Sequence, residues 1–166
     1  PMRWDESMMG DQSGKVAVVT GSNTGIGYYM ARALASKGAS VIMACRDPSK
    51  GEGARDRILE EFPGSEVSVS VLDLADLSSI EEFADGFPSE GGLDILINNA
   101  GVMIPPRSRT KDGFELQFGT NHLGHFALTG RLLPMLEKTE GSRVVTVSSI
   151  AHNPGFIDFE DLHGDS

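Results

Sequence analysis

The chain has 166 residues, a length that accommodates one domain, and its 39% apolar and 23% charged content argues against disorder. Its 24 acidic and 14 basic residues give a net charge of −10 without any cluster of Lys and Arg, which argues against a nucleic-acid partner. No apolar run approaches the ~20 residues that span a bilayer, so no membrane span is predicted.

The chain opens with a polar leader, residues 1–14, which has no apolar core of the signal-peptide type. We therefore predict a cytoplasmic protein. The single cysteine, Cys45, lies further along in the apolar run VIMAC and is predicted to be a small buried side chain.

An apolar strand and a glycine-rich turn follow the leader. Lys15–Thr20 predicts a buried parallel strand, and TGSNTGIG then places Gly21, Gly25 and Gly27 before a helix predicted over Gly25–Lys37. Glycines at a strand-to-helix turn permit a tight bend and let backbone N–H groups at a helix N-terminus approach an anion. The turn predicts a site for a dinucleotide's pyrophosphate, although a turn without a ligand explains the glycines equally well when they are taken alone.

Strands and helices alternate along the rest of the chain. The further strands are predicted at Ser40–Cys45, Glu66–Leu72, Leu93–Ile97 and Arg143–Ser148. The further helices are predicted at Ser49–Phe62, Leu77–Phe87 and, as one long helix, within Lys111–Lys138. This alternation predicts an α/β fold of the Rossmann-like kind, a doubly wound parallel sheet.

Several further motifs occupy strand ends and the long helix. Asp73 and Leu74 end the third strand, NNAG (Asn98–Gly101) follows the fourth, Asn121 lies in TNHLGHF, and Ser149 ends VTVSS. Taken singly, Asp73 and NNAG are also explained as turn residues. Together with the glycine spacing G-x-x-x-G-x-G, the motifs resemble the short-chain dehydrogenase/reductase family. The segments NTGIG, ACRD, NNAGVM and VSSIAH are similar to sequences of the family's retinol-dehydrogenase-like branch.

The resemblance implies an enzyme that interconverts a carbonyl and an alcohol by hydride transfer with a nicotinamide cofactor. It implies that the Ser149 hydroxyl orients the substrate oxygen and that Asn121 helps to hold a proton-relay water. It also implies the strand order 3-2-1-4-5, in a sheet that further strands extend in the family. The cofactor-binding residues that it implies are Gly21, Asn23, Thr24, Gly25, Ile26, Gly27, Arg46, Asp73, Leu74, Asn99, Ala100 and Gly101.

The end of the second strand bears on the choice of cofactor. NAD is usually marked there by an acidic residue about 20 positions beyond the glycines, and Asp47 fits that count. Asp47 precedes Pro48, however, and is better explained as a helix cap. Cys45 occupies the acidic position and Arg46 follows it, and a guanidinium can bind a 2′-phosphate that a carboxylate would repel. We therefore predict NADP(H) in preference to NAD.

The family's Tyr-x-x-x-Lys motif is missing after Ser149. The following residues contain neither Tyr nor Lys, and Tyr28 and Tyr29 lie on the first predicted helix. Because acid–base assistance is typically worth about 10²–10⁴ in rate, these 166 residues alone are predicted to be nearly inactive. We interpret residues 15–149 as the NADP-binding portion of a longer polypeptide and residues 150–166 as the start of its substrate-side segment, with the fifth strand left as an aggregation-prone edge.

Two classes of function remain open. The first is an oxidoreductase acting on a small-molecule carbonyl or alcohol, and the second is a non-catalytic dinucleotide-binding or regulatory module. The intact mass distinguishes them, because a mass well above that of 166 residues favours the first. A nucleotide-sugar epimerase ranks below both, since its usual spacing TGxxGxxG is not matched by Gly21, Gly25 and Gly27.

The long helix carries apolar residues near the helical period, namely Phe114, Phe118, Leu123, Phe126, Leu132 and Leu133. The corresponding helix forms a subunit interface in the resembling family, so a homo-oligomer through residues 111–138 is expected. An ordinary core stripe is an equally good explanation. His122 and His125 flank Asn121 on this helix, but a third ligand is not evident, so no metal site is predicted and both are assigned to the core or an interface.

Overall fold

A parallel sheet of five strands lies at the centre of the computed structural model, which describes residues 5–87 and 92–164. The strands are β1 (Val16–Thr20), β2 (Ser40–Cys45), β3 (Val67–Val71), β4 (Ile95–Asn98) and β5 (Arg143–Thr146). Their order is β3-β2-β1-β4-β5 and every pairing is parallel. The predicted α/β fold and strand order are therefore confirmed. Residues 1–4 of the predicted leader lie outside the described residues.

Helices alternate with the strands as the sequence predicts. The first three are α1 (Gly25–Ser36), α2 (Pro48–Glu61) and α3 (Leu77–Asp85). Asp47 caps α2 by accepting the Lys50 N–H, and Asp76 caps α3 by accepting the Ser78 N–H, as Ser, Asp and Asn side chains do at helix starts. The assignment of Asp47 as a helix cap is confirmed.

The middle of the long predicted helix is π-helical, which the sequence did not predict. The helix runs continuously through α4 (Leu116–Phe118), a π-helical stretch (Gly119–Gly124) and α5 (His125–Glu137). It begins at Leu116, so the first residues of the predicted range, Lys111–Glu115, form a turn and a short bridge instead. π-Helical stretches are rare and often lie at functional sites, and this one carries Asn121.

Apolar side chains cover both faces of the sheet. On one face Val18 and Leu96 pack with Leu132 of α5. On the other face Val19 and Met43 pack with α1 and α2. The burial of β1 on both faces explains its unbroken apolar sequence, which is typical of a central parallel strand.

The fifth strand forms one edge of the sheet. All four of its residues are exposed, and it pairs with β4 alone among the described strands. Beyond it, a single 3₁₀ turn spans Ile150–His152. None of the helices within the described residues is both long and apolar enough to cross a membrane.

Candidate functional site

A cleft of about 380 Å³ opens at the carboxyl ends of the strands. It lies where β1 has β2 on one side and β4 on the other, which is the point in an open parallel sheet where ligands usually bind. Except for Gly25, all of the predicted cofactor-binding residues line it: Gly21, Asn23, Thr24, Ile26, Gly27, Arg46, Asp73, Leu74, Asn99, Ala100 and Gly101. The structure therefore brings these residues together.

The glycine turn leaves no room for larger side chains at two positions. A Cβ on Gly21 would lie 2.9 Å from the Ala100 Cα, and a Cβ on Gly27 would lie 2.6 Å from the Gly21 carbonyl oxygen and closer still to the Asn99 amide. At Gly25, by contrast, φ is +59° and the space beyond the backbone is open. Such a turn holds its backbone next to open space, and the residues present fit a bound pyrophosphate.

The Thr20 hydroxyl joins the glycine turn to the NNAG segment. Its Oγ1 accepts the backbone N–H groups of Asn99 and Ala100, each at 2.9 Å. The Asn99 side-chain amide donates back to the Thr20 carbonyl oxygen, also at 2.9 Å. Because Thr20 ends β1 and Asn99 follows β4, these bonds fix the two walls of the cleft relative to each other.

His125 connects the same hydroxyl to the π-helical stretch. The ring is 5% exposed, with Nδ1 3.0 Å from the Asn121 carbonyl oxygen and Nε2 2.9 Å from Thr20 Oγ1. A carbonyl oxygen only accepts, so Nδ1 carries the proton and Nε2 of the neutral ring accepts from the Thr20 hydroxyl. Burial lowers the pKa of His125, which favours that neutral ring. His125 is buried as expected, although its two bonds were not predicted, whereas His122 is exposed and does not belong to the core.

Asn121 is not among the residues that line the cleft, and its side chain holds a loop that is. Its Oδ1 accepts the Val102 N–H at 2.8 Å, and its Nδ2 donates to the Val102 carbonyl at 2.9 Å. Val102 itself lines the cleft, directly after NNAG. The side chain of Asn121 is thus bonded to the loop, while its backbone carbonyl oxygen is the group that His125 contacts.

Asp73 forms a turn and also faces the cleft. One carboxylate oxygen, Oδ1, accepts the Ala75 N–H at 2.9 Å, and the Asp73 N–H donates to the Ser79 hydroxyl. Across the described residues, the other oxygen, Oδ2, has no hydrogen-bond donor. The turn explanation and the ligand-binding explanation are thus compatible.

Arg46 and Cys45 differ sharply in exposure at the end of β2. Cys45 is buried, with its sulfur 3.6 Å from the Ser22 hydroxyl, whereas Arg46 is exposed and lines the cleft. No carboxylate within the parts of the chain that the structure describes forms an ion pair with Arg46. The position where an acidic residue would mark NAD is therefore held by the buried Cys45, and the next residue carries an uncompensated positive charge.

Ser149 lies outside the group of residues that line the cleft. It is exposed after β5, and its hydroxyl accepts the Ala151 N–H at 3.2 Å and caps the 3₁₀ turn. Its catalytic role remains a prediction from the sequence.

Five lining residues were not singled out in the sequence, namely Thr20, Ala44, Leu72, Val102 and Thr120. Each directly neighbours a motif residue along the chain, and that adjacency was the available signal. The Thr120 hydroxyl is buried without a hydrogen-bond partner among the described residues. In residues 5–87 and 92–164, no group of three His, Cys, Asp or Glu side chains is arranged to hold a metal ion.

The strand order, the glycine turn and the cleft at the reversal of strand order define a Rossmann-like protein with a dinucleotide-type site. A family model described as short chain dehydrogenase matches residues 15–160. The chain belongs to the short-chain dehydrogenase family, and the resemblance stated from its motifs is confirmed.

Individual relatives agree with this placement. The chain is 55% identical to retinol dehydrogenase 12 of Homo sapiens over 153 residues, which cover 92% of the chain and 48% of that enzyme. A solved structure of an uncharacterised Mycobacterium Paratuberculosis protein has a TM-score of 0.86 and 52% identity, covering 98% of this chain and 56% of that one. A metagenomic short-chain oxidoreductase in complex with NADP has a TM-score of 0.73 and 30% identity. The match covers 85% of this chain and 65% of that one. The chain therefore spans about half the length of the retinol dehydrogenase that it matches.

Proposed function

We propose that this chain is the cofactor-binding part of an NADP(H)-dependent oxidoreductase that interconverts a small-molecule carbonyl and an alcohol. The observation that carries the proposal is the unpaired Arg46 at the end of β2, in a cleft whose glycine turn fits a dinucleotide. The NADP complex of the metagenomic relative supports a nicotinamide cofactor of this class.

Each part of the cleft has a proposed role toward the cofactor. The turn from Gly21 to Gly27 would hold the pyrophosphate, and the segment Asn99–Gly101 would contact the nicotinamide ribose. Asp73 would offer Oδ2 to the adenine amino group, and Arg46 would bind the 2′-phosphate through charge-assisted hydrogen bonds. When bound, the cofactor supplies or accepts the hydride of the reaction.

The proton-handling side of the reaction is divided between this chain and the rest of the polypeptide. We assign to Ser149 the orientation of the substrate oxygen and to the Asn121 carbonyl, held by His125, the positioning of a relay water. A Tyr and a Lys in the remaining sequence would supply the acid–base pair. The length of the matched retinol dehydrogenase supports a longer polypeptide.

We also propose that the protein is cytoplasmic and forms a homo-oligomer through the long helix. Phe126 is 74% exposed, and Leu133, at the i+7 position, is also exposed. Between them, Gly130 leaves open space on the same face. Sedimentation velocity of the full-length polypeptide checks this interface, since its Phe126→Asp variant should dissociate while the wild-type protein remains associated.

An activity assay on the full-length polypeptide tests the proposed function. We expect carbonyl reduction with NADPH that is much slower with NADH, and Ser149→Ala should lower kcat by about 10²-fold or more. Ser148→Ala is the matched control, because it removes the neighbouring hydroxyl and should retain activity. A full-length protein that binds NADPH but turns over no aldehyde or ketone would instead favour the non-catalytic module. The position of Ser149 outside the cleft lining is the observation that favours this second function.

A further inference from the structure

Arg57 on α2 is an exposed cation without an acidic partner. Its neighbour Arg55 donates to Asp56 at 2.8 Å, and Arg32 on α1 pairs with Glu6 and Glu61. In contrast, no carboxylate within residues 5–87 and 92–164 lies within ion-pairing distance of Arg57. Like Arg46, Arg57 thus carries a positive charge that no carboxylate of the described residues offsets, in a chain of net charge −10.

The Arg57 side chain is held against the glycine turn. Its guanidinium carbon lies 4.5 Å from the centre of the Tyr28 ring, in cation–π geometry, and Nη2 donates to the Asn23 carbonyl at 3.4 Å. Helical side chains lean toward the N-terminus of their helix, and α2 begins directly after the strand end that carries Arg46. Asn23 and Arg46 both line the cleft, whereas Arg57 does not, so its guanidinium lies behind Asn23 and next to the lining.

We propose that Arg57 is a second cation for the 2′-phosphate of the cofactor, acting together with Arg46. The inference rests on the proposed use of NADP(H). A guanidinium has five N–H donors, and the contact with Asn23 uses one, which leaves the others for phosphate oxygens. The face of Tyr28 holds the side chain in place without neutralising its charge, so the positive field at this end of the cleft persists. Two cations match the near-double charge of a phosphate monoester better than one does.

Nucleotide fragments that differ only in the 2′-phosphate test this role without any turnover. The full-length polypeptide is titrated calorimetrically with adenosine 2′,5′-bisphosphate and with adenosine 5′-monophosphate. We expect Arg57→Gln to weaken the bisphosphate by about tenfold and the monophosphate by less than about twofold, because only the bisphosphate carries the group that the guanidinium would bind. Arg57→Lys should retain part of the preference for the bisphosphate, because lysine keeps the positive charge but lacks the paired N–H donors of the guanidinium.

Arg55→Gln is the matched control, because this arginine lies on the same helix and already pairs with Asp56. It should leave both affinities unchanged. Equal weakening of both nucleotides by Arg57→Gln would show that the residue only braces the glycine turn, and no weakening of either would show that it has no part in binding; each result overturns the inference.

Failure of the underlying cofactor assignment gives a different result. If the wild-type protein binds both nucleotides equally, NADP(H) use and the role of Arg57 are refuted together. If Arg46→Gln abolishes the preference for the bisphosphate while Arg57→Gln preserves it, the role of Arg57 alone is refuted.

Discussion

At the scale of single residues, the Thr20 hydroxyl connects the parts of the site. Thr20 Oγ1 receives two backbone N–H groups of the NNAG segment and donates to His125. His125 in turn donates to the Asn121 carbonyl, so a chain of bonds runs from the glycine turn to the predicted catalytic asparagine. The neutral state of the His125 ring is part of this arrangement, because a doubly protonated ring could not accept the Thr20 proton.

The buried His125 predicts a dependence of stability on pH. Burial lowers the pKa of His125 in the folded state below the ordinary value of 6.5. Below that value the unfolded chain takes up a proton that the folded chain resists, so the free energy of unfolding should fall as the pH drops from about 7 to 5. Thermal unfolding followed across this range should show a decreasing Tm.

A variant separates the contribution of His125 from that of other groups. His125→Gln should have a lower Tm at pH 7, because it disturbs the buried bonds, but a shallower fall of Tm with acidification. His152→Gln, at an exposed position, is the control and should keep the wild-type slope. An unchanged slope in His125→Gln would contradict the account of the neutral buried ring.

The grouping of the predicted residues at one cleft could be foreseen from the sequence, because they are neighbours in motifs. The glycines, NNAG and Arg46 follow directly on strand ends, and parallel strands bring their carboxyl ends to one edge. The bond between Thr20 and His125 was not predictable in this way, since it joins residues 105 positions apart and neither residue type signals a partner. The clamp of Asn121 on Val102 was missed for the same reason.

At the scale of elements, the glycine turn depends on steric exclusion. Gly27→Ala would place a methyl group against the Gly21 carbonyl and the Asn99 amide, so we expect a loss of about 1–3 kcal/mol in the free energy of unfolding. Urea denaturation measures this loss. NADPH affinity should fall as well, because the turn must shift to admit the methyl group.

A second glycine provides the control. Gly53 lies in the middle of α2, where a Cβ meets nothing within 4 Å. Gly53→Ala should therefore stabilise the protein by about 0.5–1 kcal/mol, since alanine is the better helix former. Equal stability changes in the two variants would contradict the assignment of Gly27 as a close-approach position.

The long helix shows what a periodic pattern can and cannot predict. The helical spacing of its apolar residues correctly predicted a long helix, because that spacing buries one face. The π-helical stretch was not predicted, since it adds no signal to the apolar period. At its last residue the stretch packs closely on the segment after β3, because a Cβ on Gly124 would contact the Leu74 carbonyl and approach the Leu74 Cβ to 3.0 Å.

At the scale of the whole molecule, β5 is the more exposed of the two edge strands of the sheet. Val144 and Val145 are both nearly half exposed on this strand. The 166-residue chain produced alone should therefore self-associate through β5, because unpaired apolar strand edges template pairing. Val145→Lys should reduce this association in concentration-dependent light scattering.

The same experiment can distinguish β5 from the long helix. Phe126→Asp, on α5, leaves the strand edge intact and should not suppress pairing through β5. If Phe126→Asp abolishes association of the 166-residue chain and Val145→Lys leaves it unchanged, the strand edge is not the associating surface.

The proposed function of the whole molecule depends on one central claim, which is that the cleft selects NADP(H) through Arg46. Calorimetric titration of the full-length polypeptide with NADPH and NADH at the same salt concentration tests it most directly, because surface charge effects vary with ionic strength. We expect NADPH to bind at least about tenfold more tightly, and Arg46→Ala to remove that difference by weakening NADPH alone. Arg131→Ala, whose partner Glu81 lies on α3, should change neither affinity. Equal affinities for the two cofactors in the wild-type protein, or equal losses in Arg46→Ala, would contradict the claim.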